Sequence, residues 1–161
     1  MKITPLFEQN MKYLREYQPL LAKLIEENKS RYEALPDFVV TEGKNGRWVE
    51  GLSSSPFFDP LVDSARKKVY AKKSLFFLVG AGLPPYLFDR FRSLPKGTLG
   101  VVVFEPDLNV LIHTLCLTSV YLALPSGCHL AFASSPEREH MQEVLNVNIR
   151  PMGSYIVSDA E

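Results

Sequence analysis

The apolar positions at the start of the chain follow a helical period. Between residues 6 and 29 they recur at spacings of three and four, with charged residues between them, as in an amphipathic helix. Pro19 interrupts this pattern, because proline lacks an amide hydrogen and disfavours helical backbone at Gln18. We therefore predict two helices, with Pro19 in the first turn of the second. Such a pair of helices either packs on its own domain, which is the commoner case, or binds a partner protein.

Residues 37–50 change to a strand pattern and predict a β-hairpin. The β-branched and aromatic run Phe38-Val39-Val40-Thr41 is followed by Asn45-Gly46, a strong signal for a two-residue turn. The segment Arg47-Trp48-Val49-Glu50 then forms the returning strand. After a loop, Asp59-Pro60 predicts a helix start, with Asp59 as the cap and Pro60 in the first helical position. Its inner stripe would be Val62, Ala65 and Val69.

The second half of the chain alternates short apolar runs with helical patterns. Buried strands are predicted at residues 74–79, 99–104 and 130–133, and helices at 84–93, 107–117 and 136–145. This alternation is typical of a parallel sheet with right-handed crossovers. The fold class is therefore α/β, a Rossmann-like parallel sheet with flanking helices, preceded by N-terminal helices and a β-hairpin. We divide the chain into helices and hairpin (1–56), Rossmann-like core of the same domain (57–150), and a tail or linker start (151–161).

Composition and charge exclude several classes of protein. The 161 residues carry 18 basic and 18 acidic side chains, and a net charge of zero argues against a nucleic-acid partner. No apolar run is long enough for a membrane helix, and the first residues show no signal core. The two cysteines, Cys116 and Cys128, are too few for a disulfide framework or a zinc site. We expect reduced thiols in a cytoplasmic protein without membrane contact.

The candidate ligand site lies at the tip of the first parallel strand. Gly80, Ala81 and Gly82 follow that strand, and Glu105 and Asp107 follow the next one. Ligands of open α/β sheets bind at the carboxyl ends of the strands, and an acid in the position of Glu105 commonly accepts hydrogen bonds from ribose hydroxyls. Pro84-Pro85 stands where a dinucleotide fingerprint needs its third glycine, which disfavours NAD and FAD.

Three interpretations of this strand end stay open. S-adenosylmethionine, which brings no phosphate, is the better nucleoside candidate and would make the domain methyltransferase-like. A diphosphate ligand would require Arg90, Arg92 or Lys96 to face the strand ends. Alternatively, the glycines only shape a turn and Glu105 caps the next helix.

A catalytic set is missing from the sequence. His113, His129 and His140 are scattered without metal-ligand spacing, and no nucleophile elbow or phosphate-binding Gly-Lys loop occurs. Cys128 has no assignable histidine partner, and His113 lies among apolar residues where a structural role is expected. Catalytic residues are therefore unassigned, no metal is predicted, and the sequence requires no cofactor.

Three segments resemble a known family. Phe57-Phe58-Asp59-Pro60, Leu78-Val79-Gly80-Ala81-Gly82-Leu83 and Val102-Val103-Phe104-Glu105-Pro106-Asp107 are similar to a Tyr-Asp-Pro step, a Gly-x-Gly-Leu-Gly-Tyr tip and a Val-Glu-Pro-Asp strand end. Those three motifs are found in the N-terminal domain of motility accessory factor (Maf) proteins. That domain is also similar to archaeal 6-hydroxymethylpterin pyrophosphokinases. Pro84-Pro85 replaces the family's second glycine pair.

The resemblance implies a role beside an enzyme. Such proteins are implicated in flagellin glycosylation with nonulosonic acids, and transfer is ascribed to a domain that follows the Rossmann-like one. We therefore expect an accessory domain that is not catalytic alone, whose partners are a downstream catalytic domain or a flagellin-like acceptor. Gly80, Gly82, Glu105 and Asp107 carry over as pocket positions. Apolar surface left for a neighbouring domain would also favour a homo-oligomer.

Overall fold

The computed structural model describes residues 1–60, 75–95, 97–119 and 127–149. Within them the chain forms five helices and six strands, which run in the order α1 (Pro5–Tyr17), α2 (Pro19–Glu33), β1 (Val39–Gly43), β2 (Gly46–Glu50), β3 (Phe57–Pro60), β4 (Leu75–Val79), α3 (Pro84–Arg92), β5 (Gly100–Phe104), α4 (Leu108–Leu117), β6 (His129–Ala133) and α5 (Arg138–Ile149). This order confirms the α/β class. No helix within these ranges is both long and apolar enough to cross a membrane.

The two predicted N-terminal helices are present and meet at Pro19. Thr4 caps α1 by accepting a hydrogen bond from the Phe7 amide, and Pro19 opens α2. Their apolar stripes enter the main core, where Met11, Leu14 and Ile25 are fully buried. The pair therefore packs on its own domain.

The hairpin is confirmed, but its turn lies one residue earlier than predicted. Gly43 pairs with Gly46, so the two turn residues are Lys44 and Asn45, and Gly46 is already the first residue of β2. A side chain at Gly46 would collide with the next strand, since a Cβ there would lie 2.5 Å from the carbonyl oxygen of Asp59. Gly46 therefore serves the close approach of β2 to β3.

The helix predicted to start at Asp59-Pro60 does not start there. Residues 57–60 form β3, which pairs antiparallel with β2 through Trp48↔Phe58 and Arg47↔Asp59. Asp59 is consequently a buried strand residue instead of a helix cap. The predicted inner stripe of that helix, Val62, Ala65 and Val69, lies outside the described residues.

The second sheet is parallel, with strand order β4-β5-β6. Because right-handed crossovers that step in one direction stay on one face, α3 and α4 lie on the same side, and both contribute to the main core with Val101 and Val103. On the opposite face Val144 and Val147 of α5 pack on Val102 and Ala131. The predicted strands and crossover helices are present, although α5 begins at Arg138, two residues later than expected. The prediction that β4 is buried was wrong, because none of its five residues is buried and Phe77 and Val79 are exposed.

Long-range hydrogen bonds fasten the N-terminal helices to the parallel sheet. Gln18 pairs with the backbone of Phe132 in β6 through both ends of its amide, at 2.7 and 2.8 Å. Glu143 of α5 accepts hydrogen bonds from the Leu20 and Leu21 amides and so caps α2. Buried amides and carbonyls are costly unless paired, so these contacts tie the N-terminal helices to β6 and α5.

Candidate functional site

The turn at the end of β4 needs its glycines for backbone reasons. Gly80 has φ of 83° and Gly82 has φ of 60°, in the left-handed region that side chains disfavour. The Gly80 amide donates to the Phe104 carbonyl at 2.8 Å, which continues the β4–β5 pairing by one residue. The turn is therefore rigidly connected to the neighbouring strand.

Glu105 uses both carboxylate oxygens on backbone amides. Oε2 accepts from the Ala81 amide at 2.8 Å, and Oε1 accepts from the Asp107 amide at 2.9 Å. The side chain is 6% exposed. Burial raises its pKa, while the two amides oppose that rise. Glu105 thus clamps the glycine turn to the start of α4, with one hydrogen bond accepted by each carboxylate oxygen.

The helix cap predicted for Glu105 is instead Asp107. Its Oδ1 accepts from the Asn109 amide at 2.9 Å at the first turn of α4. Its Oδ2 accepts from the Ser53 hydroxyl at 2.5 Å and from the Ser54 amide at 3.4 Å. Asp107 therefore ties the loop between β2 and β3 to the carboxyl end of the parallel sheet.

These contacts frame a cavity of about 530 Å³ at the strand ends. It is lined by polar and acidic residues from the loop, the glycine turn and the end of β5, together with apolar residues of β3 and its surroundings: Ser53, Ser55, Pro56, Phe57, Phe58, Asp59, Pro60, Val79, Gly80, Gly82, Glu105, Pro106, Asp107 and Val110. A space of this size is typical of small-molecule sites.

Asp59 is the most unusual group in the lining. It forms an ion pair with Arg47 through Oδ2, and its side chain is fully buried. Its other oxygen, Oδ1, has no hydrogen-bond partner among the described residues. Burial raises the pKa of Asp59, and Arg47 and the Leu83 backbone act against the rise. Asp59 is therefore held inside the protein by Arg47 and the Leu83 backbone, and its side chain presents no exposed surface to the cavity.

The lining carries no cation in the described part of the chain. No lysine or arginine is among its residues, whereas Glu105, Asp59 and Asp107 all are. Arg90 and Arg92 lie in the last turn of α3, the end of that helix farthest from the glycine turn, and Lys96 is outside the described ranges. Of the three cations that a diphosphate ligand would require, the structure describes Arg90 and Arg92, and neither is among the described residues of the lining.

The described residues also offer few groups that could support catalysis. No group of three His, Cys, Asp or Glu side chains is placed to hold a metal. His113 is buried, its Nδ1 lies 2.8 Å from the Tyr32 hydroxyl, and burial lowers its pKa, so its expected structural role is confirmed. Both cysteines are free, as expected. Burial raises the pKa of Cys128 to about 11, which makes its thiol a poor nucleophile at neutral pH.

Four of the five predicted site residues line one cavity: Gly80, Gly82, Glu105 and Asp107. The fifth, Ala81, is fully buried and takes part through its amide. The prediction missed the opposite wall, made by Ser53, Ser55 and β3. The serine-rich loop before β3 was the available signal, but the return of β3 to the strand ends depends on its pairing with β2.

Comparisons of the chain with protein-family models, with curated proteins and with solved structures gave no match.

Proposed function

We propose that this α/β domain is an accessory module of the motility accessory factor type, which positions a catalytic domain or a flagellin-like acceptor and does not itself catalyse transfer. The observation that carries the proposal is the pair of amide hydrogen bonds at Glu105. The acid that would hold the ribose of a bound nucleoside holds the protein's own backbone instead. At the end of β5, the hydrogen bonds of Glu105 therefore connect the glycine turn to the start of α4.

The apolar surface of β4 supports a docking role. Phe77 is 60% exposed and Val79 is 79% exposed, although both lie in a strand whose neighbour β5 is almost entirely buried. Their register partners are Val102 and Phe104, which places them on the face that α5 covers farther along the sheet. Adjacent exposed apolar side chains on one sheet face are typical of a surface that another protein covers.

The accessory role is tested by separating binding from turnover. The purified chain is mixed with unglycosylated flagellin, with and without CMP-sialic acid, and binding is followed by biolayer interferometry while the flagellin mass is followed by mass spectrometry. We expect saturable binding and no added mass. Phe77→Lys should weaken binding, whereas Lys44→Gln, an exposed change in the hairpin turn, should not. Sugar transfer by the chain alone would contradict the proposal.

A second candidate, an S-adenosylmethionine-dependent methyltransferase-like domain, rests on one observation. The cavity beside Gly80 and Gly82 provides the open cleft that this function requires. Against this candidate, both carboxylate oxygens of Glu105 already accept hydrogen bonds from backbone amides. Binding of S-adenosylhomocysteine that disappears in Glu105→Gln would favour this candidate over the accessory role.

A further inference from the structure

A second, smaller cavity lies between α2, the loop before β3 and the first turn of α4. Its volume is about 210 Å³, and polar side chains from all three segments line it: Asn28, Arg31, Ser54 and Asn109. Cavities that hold drug-sized molecules begin at about 300 Å³. This space therefore suits a ligand of only a few heavy atoms.

Asn109 is a buried polar side chain that lacks a partner in the described chain. It lines the cavity and is only 9% exposed. Its backbone amide donates to Asp107, but its carboxamide makes no hydrogen bond with the described residues. Buried side-chain amides are nearly always paired, so the carboxamide of Asn109 points to a ligand in this cavity.

Arg31 supplies a cation from α2. It takes part in none of the ion pairs that the described residues form. A guanidinium presents its N–H donors in a planar fork, which matches the oxygens of a phosphate or a carboxylate. Arg31 is therefore able to bind an anion at the mouth of the cavity.

The first turn of α4 adds a backbone donor. Leu108, the first residue of this helix, lines the cavity, and its amide has no acceptor in the described chain. The start of a helix also carries a partial positive charge, which favours anions. The free amide and the helix dipole thus act in the same sense as Arg31.

Asp107 opposes an anion but is balanced. It is the single acid among the described lining residues, and Arg31 offsets its charge. Its two oxygens accept hydrogen bonds from the Asn109 amide, the Ser53 hydroxyl and the Ser54 amide. The described lining carries no net charge, so the dipole of α4 leaves a positive potential at the donors.

We propose that this cavity binds a free inorganic oxyanion of the phosphate or sulfate class. Its donors are the Arg31 guanidinium, the Asn109 carboxamide and the Leu108 amide. They belong to two different helices, which suits a tetrahedral anion whose oxygens point in several directions. The assignment does not depend on the proposed accessory role.

The binding test is an NMR titration of the amide signals with sodium phosphate, sodium sulfate and CMP. Sodium chloride keeps the ionic strength constant, because salt screens unspecific attraction to surface charges. We expect saturable shifts of the Leu108 and Asn109 amides with phosphate and sulfate, and none with CMP, which is too large for the cavity. No saturable shift at these amides, or an equal shift with CMP, would overturn the proposal.

Variants on the two walls provide the second arm. Arg31→Gln should weaken phosphate binding about tenfold or more, because charge-assisted hydrogen bonds are the stronger ones. Lys23→Gln removes an exposed charge from the same helix and should leave binding unchanged. Asn109→Asp places a negative charge beside the anion and should abolish binding. If that variant does not fold, the two α2 variants decide, and unchanged affinity in Arg31→Gln would contradict the assignment.

Discussion

Glu105 holds the backbone amide of Ala81 at 2.8 Å, across the junction between β4 and β5. The two residues come from different strand ends, so this bond fixes how the glycine turn sits on the parallel sheet. With its second oxygen on the Asp107 amide, Glu105 has no oxygen without a backbone partner. An acid at the end of the second strand is thus used here for architecture.

Replacing Glu105 should destabilise the domain. Each buried amide left unpaired costs about 1–3 kcal/mol. Glu105→Ala leaves two amides without an acceptor, so this variant should lose about 3 kcal/mol or more of unfolding free energy. Glu105→Gln keeps one acceptor and should lose about half as much. Urea denaturation measures both, with the exposed Glu50→Gln as control. A loss no larger than that of the control would show that the clamp contributes nothing.

The stability should also depend on pH through Glu105. Its pKa is raised in the folded protein by burial, so the folded state binds this proton more tightly than the unfolded state does. The resulting stabilisation is fully present below the ordinary glutamate pKa of about 4.3 and is lost as the pH rises through the folded-state pKa. The difference in unfolding free energy between wild type and Glu105→Gln should therefore grow as the pH falls toward 4. A difference that shrinks on acidification would mean that the folded-state pKa is lowered.

Gly46 should tolerate no side chain. A Cβ would approach the Asp59 carbonyl oxygen to 2.5 Å, and its φ of 154° lies where side chains are disfavoured. Gly97→Ala is a matched control, since Gly97 also has positive φ but a Cβ there meets no atom within 4 Å. We expect Gly97→Ala to cost about 1–2 kcal/mol and Gly46→Ala clearly more. Equal melting temperatures for the two variants would argue against close packing of β2 on β3.

Gln18 should couple the N-terminal helices to the sheet. Gln18→Ala leaves the buried amide and carbonyl of Phe132 without partners, which should cost about 2–4 kcal/mol. Gln9→Ala, at an exposed position of α1, should have little effect. Hydrogen exchange provides the second measurement: protection should fall in both α2 and β6 if the contact joins them. Loss confined to α2 would mean that the helices and the sheet unfold independently.

Local sequence signals were sufficient for most of the architecture. Pro19 divides the helices because its backbone chemistry acts wherever it occurs, and the apolar runs around Phe77 and Val102 are long enough to specify strands, of which only the second is buried. The glycine turn was also visible, since Gly80 and Gly82 supply backbone angles that other residues avoid. These features depend on neighbours in the chain.

The predictions were wrong where the structure of a segment depends on contacts with residues that are distant in the sequence. Asp59-Pro60 has the local chemistry of a helix start, but pairing of Phe58 with Trp48 draws it into a strand. The same pairing creates the wall of the cavity, so that wall was missed as well. The sequence identified Glu105 as a site residue but did not reveal its hydrogen-bond donor, because only the folded backbone brings the Ala81 amide within reach.

Thermal unfolding with ligands tests whether Glu105 acts as a structural clamp or as an acid that binds a nucleoside. The chain is melted with saturating S-adenosylmethionine, S-adenosylhomocysteine, CMP and CMP-sialic acid. A ligand at a hundred times its dissociation constant stabilises by about 2.7 kcal/mol, which would raise the melting temperature by roughly 5–10 °C for a domain of this size. We predict no rise with any of the four. A rise in wild type that disappears in Glu105→Gln would show that Glu105 binds ligand and would overturn its assignment as a purely structural clamp.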